Sequence, residues 1–198
     1  MRHLLLATRN AHKTREFPEI LGPDFVVRDL SGEPNAPAVE ETGRTFAENA
    51  ILKAVAVSKR FSGLVVADDS GLEVDALGKA PGVYSARYAG PDASDNENMA
   101  KLLSELRACR ARPPFVARFR CVIVLAQDGG LLGTFEGAVE GTIVEAPRGR
   151  SGFGYDPLFQ PAGLTETFAE LSAEAKNRIS HRADAIRQLR SALSSEST

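Results

Sequence analysis

The amino-acid sequence predicts an α/β fold in which a mixed, partly antiparallel sheet is flanked by helices. The chain opens with a strand, a polar loop and a helix, which is how an α/β unit begins. Its middle has apolar residues at every second position over 115–125, which predicts a long strand with one apolar face. Amphipathic helical stretches end the chain, so the 198 residues are expected to form one domain spanning 1–198.

The first unit of the fold joins an apolar strand to a helix through a loop that contains no glycine. Leu4–Ala7 predicts the strand, and the helix is expected to end before Gly22. Thr8 or Asn10 is suited to cap this helix, whose free amides favour an anion with Lys13 as its counter-charge. Two interpretations stay open, a phosphate-binding loop and a capped helix with a solvated lysine.

A second helix carries polar residues on one face. After an exposed loop over 31–39, the capping-box spacing from Thr45 to Glu48 predicts a helix over 46–60. Asn49 and Lys53 lie four residues apart and therefore share a face. Lys53 is either a cleft residue or a solvent-facing one, and the pattern alone favours neither.

Two adjacent carboxylates follow the apolar run Leu64–Ala67. The run predicts a buried strand with Asp68 and Asp69 at its carboxyl end and a turn at Gly71. In open α/β sheets that edge is where ligands bind, and adjacent acids there suit a cation. The alternative is a turn in which the acids bond to nearby backbone amides.

The rest of the chain continues the mixture of helices and strands. A second capping box over 94–97 precedes a helix with apolar residues at i, i+3, i+4 and i+7. Residues 128–130 are a hairpin-turn signal. The other predicted elements are a strand over 25–28, strands over 131–135 and 138–145, a helical region over 168–179 and a last helix from Ser180.

A glycine-rich stretch over 149–159 has the equipment to bind a flat heteroaromatic ring. Its glycines let the backbone approach a ligand closely, Phe153 or Tyr155 offers a stacking face, and Asp156 offers an acceptor. The alternative is a glycine-rich hairpin whose aromatic side chains pack inward.

Two cationic side chains open the last helix against a local rule. His181 and Arg182 lie in its first turn, where the helix dipole favours anions. Residues placed against a local rule are expected at functional sites, although an exposed basic helix start stays an alternative.

Composition and charge argue against several classes of protein. A formal net charge of −2 gives no electrostatic case for binding a nucleic-acid polymer. Cys109 and Cys121 have neither metal-site nor disulfide-framework spacing, so reduced thiols are expected. The N-terminal apolar run is too short for a signal peptide, and no run approaches the ~20 apolar residues of a membrane span. We therefore predict a cytoplasmic protein that does not act at a membrane.

Six motifs carry a resemblance to a known family. They are Thr8-x-Asn10-x-x-Lys13, Glu41-Thr42-Gly43-x-Thr45-Phe46-x-Glu48-Asn49-Ala50-x-x-Lys53, Ala67-Asp68-Asp69-Ser70-Gly71-Leu72, Pro81-Gly82-x-Tyr84-Ser85-Ala86-Arg87-Tyr88, Gly152-Phe153-Gly154-Tyr155-Asp156-Pro157 and Ser180-His181-Arg182. Through them the chain resembles the inosine triphosphate pyrophosphatase family, and most closely its bacterial RdgB-like dITP/XTP pyrophosphatases. Arg9 departs from the family pattern, because many members have glycine at that place.

The resemblance implies a function, a cofactor and an assembly. It implies hydrolysis of the non-canonical purine nucleoside triphosphates ITP, dITP and XTP to the monophosphate and pyrophosphate, with Mg²⁺ as the cofactor. It also implies a homodimer and an elongated α/β fold of two lobes with a central substrate cleft.

The resemblance also assigns roles to individual residues. Glu41 and Asp69 match metal-linked acids, and Asp69 matches the general base, which Asp68 would tune or orient. The substrate-binding set is Thr8, Asn10 and Lys13 for the phosphates, Lys53 beside them, Ser70 for a substrate contact, and Phe153, Gly154, Tyr155, Asp156, Lys176, His181 and Arg182 for the base. If Asp68 and Asp69 face one another, the pKa of Asp69 is expected to be raised.

Two other functions compete with pyrophosphohydrolysis. A phosphatase with an aspartyl nucleophile fits an acid pair after an apolar strand, but it requires Asp-x-Asp, which Asp68-Asp69-Ser70 does not provide. A nucleotide-sensing module would keep the glycine-rich pocket and would have no need of Asp69.

Overall fold

The computed structural model describes residues 1–195 and confirms the predicted α/β class. The strands are β1 (Arg2–Leu6), β2 (Phe25–Asp29), β3 (Leu64–Val74), β4 (Phe115–Gln127), β5 (Gly130–Ile143) and β6 (Phe159–Pro161). The α-helices are α1 (Ala11–Leu21), α2 (Phe46–Ser58), α3 (Asp95–Ala108), α4 (Ala173–Ile179) and α5 (His181–Ser195). Short 3₁₀ segments lie at Leu30–Gly32, Asp75–Leu77 and Gly82–Arg87.

A mixed sheet has the strand order β2-β1-β3-β4-β5-β6. β1 is parallel to both β2 and β3, whereas β5 and β6 are antiparallel. Between β4 and β5, Asp128 and Gly129 have φ angles of 51° and 80°. Two successive positive φ angles are typical of the type I′ hairpin turn, so the predicted turn is confirmed.

The acid pair lies inside a strand and not at its end. β3 runs without a break through Asp68, Asp69 and Gly71, so the predicted turn at Gly71 is wrong. The parallel pairing with β1, however, ends with Leu6 opposite Val66. The two acids therefore lie just beyond the carboxyl end of the paired segment, which is the edge where α/β sheets bind ligands.

Two compact units divide the chain, and the first contains both termini of the described sequence. Unit 1 comprises residues 1–69, 121–137 and, as far as it is described, 182–195. In its apolar cluster, alternate residues of β4 such as Ile123 and Leu125 pack with apolar residues of α5, including Ile186 and Leu189. The apolar residues of β4 and those of α5 thus form two sides of one core.

Unit 2 comprises residues 70–120 and 138–181. Its apolar cluster contains Phe115 and Phe119 of β4 with Leu102 and Leu106 of α3. α3 begins with the complete capping box over 94–97, in which side chain and backbone groups bond reciprocally. The expectation of one domain over 1–198 stays a prediction.

Three local predictions differ from the structure. β5 is one strand where two were expected, because the glycines inside it are extended and do not form a turn. Residues 168–170 form a turn and not a helix, since the amides of Phe168 and Ala169 donate to Phe159 and Asp156 carbonyls. α2 ends at Ser58, and its capping box is half formed because the Glu48 carboxylate accepts from the Arg44 amide.

The remaining predictions on bulk properties concern thiols and membranes. Cys109 and Cys121 are free thiols, and Cys121 is buried. Residues 1–195 contain no helix that is long and apolar enough to cross a membrane.

Candidate active site

The loop between β1 and α1 is organised by side chains that bond to backbone amides. Asn10 Oδ1 accepts from the amides of His12 and Lys13 at 2.9 and 3.4 Å. Thr8 Oγ1 accepts from the Asn10 amide at 3.1 Å. Asn10 is therefore the helix cap, and Thr8 holds the capping residue in place.

This loop forms part of a cavity of about 290 Å³ in unit 1. Its lining includes five of the predicted site residues, Thr8, Asn10, Lys13, Glu41 and Lys53. Arg9, which the predicted set did not include, also lines it. Three cationic side chains against one carboxylate make the cavity suitable for a polyanion.

Asp68 lies at the centre of a buried cluster of charges. Its side chain is 0% exposed, and its Oδ1 lies 2.6 Å from the Nζ of Lys13. Its Oδ2 accepts from Arg182 Nε at 3.1 Å. Burial alone would raise the pKa of Asp68, but the charges of Lys13, Arg182 and Lys53 hold that pKa well below its ordinary value.

Asp69 has a different set of partners. Its Oδ2 accepts from Asn49 Nδ2 at 3.1 Å, and its Oδ1 lies 3.5 Å from Lys53 Nζ. Burial raises the pKa of Asp69, the nearby charge of Glu41 adds to that rise, and Lys53 and Lys13 oppose it. Asp69 is thus a buried carboxylate with increased proton affinity, as a general base requires.

The two acids do not face one another. Neighbouring residues on a strand point to opposite faces of the sheet, and Asp68 and Asp69 bind separate partners accordingly. The raised pKa of Asp69 therefore comes first from burial and then from the charge of Glu41.

Lys53 connects Asp69 with Glu41. Its Nζ lies 2.7 Å from Glu41 Oε1 and donates to the Asp68 carbonyl oxygen at 2.8 Å. Burial lowers the pKa of Lys53, but the three carboxylates of Asp69, Asp68 and Glu41 outweigh burial and raise it. Lys53 therefore stays protonated, and it lies in the cavity and not in bulk solvent.

Asn49 is a site residue that the predicted set missed. Besides its bond to Asp69, its Oδ1 accepts from the Gly43 amide at 2.8 Å. A Cβ at Gly43 would lie only 2.6 Å from that oxygen, so the close approach requires glycine. The sequence signal for Asn49 was its position four residues before Lys53 on the same helix face. Both side chains contact Asp69.

Glu41 and Asp69 are the acids predicted to hold a metal ion. No group of three or more His, Cys, Asp or Glu side chains with that capacity occurs in residues 1–195. The two carboxylates nevertheless converge on one cation, because Lys53 Nζ is 2.7 and 3.5 Å from them. Mg²⁺ commonly takes one or two carboxylates and completes its shell with water and substrate phosphates, so this pair fits it.

A second group of predicted residues comes together in unit 2. Lys176 Nζ lies 2.7 Å from Asp156 Oδ2, and both side chains are at most 5% exposed. The same oxygen accepts from the Phe153 amide at 2.9 Å. Gly152 has φ +76°, and a Cβ there would lie 2.0 Å from Asp156 Oδ2, so this turn requires glycine.

The aromatic residues of unit 2 surround that ion pair. Lys176 Nζ is 4.7 Å from the ring centre of Phe153 and 5.8 Å from that of Phe168. The His181 ring stacks on Phe119 at 4.8 Å with an interplanar angle of 11°. Phe119 was not in the predicted set, because its place in an alternating strand indicated only core.

The other predicted residues make different contacts. Tyr155 is 3% exposed and donates to the Ser85 carbonyl oxygen, so its ring belongs to the core. The Gly154 amide donates to Asp95 at 2.7 Å. Ser70 is half-buried and follows Asp69 on β3. Arg182 belongs to unit 1, where its Nη1 lies 2.6 Å from Glu16, a residue that the predicted set also missed.

Comparison with known proteins gives consistent matches over nearly the whole chain. A model of the Ham1 family matches residues 4–192. The dITP/XTP pyrophosphatase of Bacillus licheniformis is 48% identical and that of Bacillus subtilis 49%, each covering 96% of this chain and 96% of the relative. The structure of the Staphylococcus aureus Ham1 protein is similar with a TM-score of 0.86 and 44% identity, over 98% of this chain and 100% of that one.

Proposed function

This chain belongs to the Ham1 family, and from that membership we infer that it hydrolyses non-canonical purine nucleoside triphosphates. The match to the Ham1 family model confirms the family resemblance that the six motifs indicated. The function rests on relatives named dITP/XTP pyrophosphatase, which are 48% and 49% identical to this chain over 96% of its length. The chain is therefore an enzyme that converts dITP and XTP to the monophosphate and pyrophosphate.

The triphosphate is proposed to bind in the cavity of unit 1. Lys13 and Lys53 supply ammonium groups there, and the first amides of α1 are available to phosphate oxygens because a helix N-terminus favours anions. Arg9 adds a guanidinium that forms no hydrogen bond or ion pair with any residue of 1–195. Charge neutralisation and positioning are the main requirements of phosphoryl-type transfer.

Asp69 is proposed to be the general base that takes a proton from the attacking water. Its raised pKa increases its affinity for that proton. Asn49 and Lys53 hold its two oxygens, so the carboxylate is oriented before a ligand arrives. Attack then breaks the bond between the α- and β-phosphates, and pyrophosphate leaves.

Mg²⁺ is the proposed cofactor, with Glu41 and Asp69 as its protein ligands. When bound, Mg²⁺ neutralises negative charge on the phosphate oxygens. Lys53 binds both carboxylates in the structure, and it is proposed to keep them close together and oriented toward the cavity.

Glu41→Gln is expected to raise the Mg²⁺ concentration needed for half-maximal turnover by about tenfold. The amide keeps an oxygen of the same reach but loses the charge that attracts a hard cation. Turnover of XTP is measured against Mg²⁺ concentration, with Glu40→Gln as the matched control. A shift with Glu40→Gln and none with Glu41→Gln would assign the metal to the neighbouring acid.

The purine base is proposed to be read by the ion-pair cluster of unit 2. Hypoxanthine and xanthine carry a carbonyl at atom six, where adenine carries an amino group. Donors aimed at that atom, such as His181 or backbone amides near Phe153, pair with a carbonyl and reject an amino group. Guanine shares the carbonyl, so its exclusion is assigned to a mismatch between its two-amino group and the loop from Phe153 to Asp156.

A substrate panel with Mg²⁺ tests the proposed function. XTP, ITP and dITP are expected to be turned over at least about 100-fold more efficiently than ATP, because a buried donor left without its acceptor is strongly unfavourable. A similar preference over GTP is expected from the mismatch at its two-amino group. Pyrophosphate and phosphate are assayed separately. Release of phosphate alone would contradict the reaction, and equal turnover of GTP and XTP would remove the proposed role of the 153–156 loop.

The homodimer and the cytoplasmic location also stay proposals. The homodimer is supported by the family resemblance, and the location by composition and by the nucleotide substrate. Neither bears on the chemistry proposed above.

A further inference from the structure

We propose that Asp68 is a positioning residue that holds the ammonium of Lys13 in the phosphate cavity, and that Arg182 in turn holds Asp68. The proposal rests on the proposed function, because it assumes that Lys13 meets a phosphate. It differs from the roles that the resemblance implies, in which Asp68 orients Asp69 and Arg182 contacts the base.

Two cations share the carboxylate of Asp68. Lys13 Nζ is 2.6 Å from one oxygen, and Arg182 Nε is 3.1 Å from the other. Arg182 also lies 2.6 Å from Glu16, which is on α1 three residues after Lys13. The ion pairs therefore form a closed circuit from α1 through α5 and β3 and back to α1.

Burial makes this circuit unfavourable to assemble and rigid once formed. The Asp68 and Arg182 side chains are 0% and 2% exposed, and those of Lys13 and Glu16 are each 14% exposed. Buried ion pairs are often no more stable than well-packed apolar residues of similar volume. Stability alone therefore does not account for four charges here, whereas control of side-chain position does.

A lysine side chain that binds a ligand gains from being held in position beforehand. Its four-carbon side chain is flexible, and ordering such a side chain at a ligand reduces the free energy gained on binding. A carboxylate that is itself fixed by Arg182 orders Lys13 in advance. An ammonium has three donors, so Lys13 can bind Asp68 and still donate to a phosphate in the cavity that it lines.

The direction of the effect follows from the geometry of β3. Asp68 and Asp69 point to opposite faces of the strand, so loss of Asp68 is expected to weaken phosphate binding through Lys13 and to leave the base in place. Arg182 acts through Asp68, because its Nε binds the Asp68 carboxylate while its Nη1 binds Glu16 on α1.

A double-mutant cycle tests this proposal, because coupled residues give non-additive effects. Asp68→Asn is expected to weaken binding of inorganic tripolyphosphate by about tenfold when Lys13 is present, and by less than about twofold in a Lys13→Met background. Isothermal titration calorimetry measures the Kd, and the KM for XTP should follow the same pattern. Equal weakening in both backgrounds would overturn the proposal.

Arg182→Lys provides a second variant if Asp68→Asn does not fold. It keeps a cation near Asp68 but loses the planar fork that also reaches Glu16, so a smaller weakening that again disappears with Lys13→Met is expected. Glu174→Gln, on an exposed ion pair of α4, is the control and should leave the Kd unchanged. Arg182→Lys effects that persist without Lys13 would contradict the circuit.

The outcomes separate this proposal from the proposed function. Tripolyphosphate binding requires no turnover, so a coupled cycle in a protein that does not hydrolyse XTP would refute only the function. An additive cycle in an active enzyme would refute only the role of Asp68. A protein that binds neither tripolyphosphate nor XTP would refute both.

Discussion

Asp69→Asn is expected to lower turnover of XTP by about 10²- to 10⁴-fold, the range typical of losing a general base. The amide is of the same size, but it cannot take a proton from water. Binding of tripolyphosphate in a metal-free buffer should be retained, because Lys13 and the amides of α1 are untouched. Steady-state kinetics with calorimetry on the same preparation measures both quantities.

The same substitution is expected to stabilise the protein at neutral pH when metal is removed with a chelator. The folded protein raises the pKa of Asp69 above its unfolded value, so this group favours folding only below its unfolded pKa of about 3.9. That contribution is lost as the pH rises through the folded pKa, where burial of the charged carboxylate opposes folding. The gain in Tm of Asp69→Asn should therefore be present at pH 7 and small near pH 3.

Two results would contradict this account of Asp69. Unchanged turnover would remove Asp69 from the chemistry, and a lower Tm at pH 7 would mean that its ion pair with Lys53 outweighs burial. Asn49→Asp is a useful companion, because a second acid beside Asp69 should raise its pKa further and shift the acidic limb of the activity profile to higher pH.

Asp156→Ala is expected to destabilise the protein by about 3–5 kcal/mol, the range for removing one partner of a buried ion pair. Lys176 would be left as a buried charge, and the Phe153 amide would lose its acceptor. For a chain of this size the loss corresponds to a fall in Tm of about 10 °C. Thermal unfolding measures it, and any remaining activity should discriminate less between XTP and GTP.

Two controls make the prediction for Asp156 specific. Glu174→Ala removes an exposed ion pair with Arg178 and should change stability by less than about 0.5 kcal/mol. Replacing both partners, Asp156→Leu with Lys176→Met, should recover much of the stability but not the base discrimination. Recovery of both would mean that the ion pair has no part in reading the base.

The sequence predicts the elements well wherever one local pattern decides the outcome. The alternation from Phe115 to Leu125 describes a long strand, and Ser94 with Glu97 fixes the start of α3 through hydrogen bonds between near neighbours. Both signals depend on residues close in sequence, so no tertiary contact is needed to interpret them. The grouping of Lys13, Glu41 and Lys53 in one cavity was implied by the family resemblance, because the local patterns left both lysines open.

Other features depend on contacts that a local pattern does not contain. Gly71 looks like a turn residue, yet β3 stays extended through it to Val74. Phe153 and Tyr155 are equivalent candidates for a stacking face until the Tyr155 hydroxyl finds the Ser85 carbonyl oxygen, 70 residues away in sequence. Arg182 likewise meets Asp68 across 114 residues, which no spacing rule anticipates.

The contacts of Lys53 make ligand binding at this residue an exchange and not an addition. Its ammonium donates to Glu41 at 2.7 Å and to the Asp68 carbonyl oxygen at 2.8 Å, and the Asp69 carboxylate lies 3.5 Å away as an ion-pair partner. A phosphate oxygen that binds Lys53 therefore competes with these internal oxygens. A ligand that offers several oxygens at once competes better than one that offers a single oxygen.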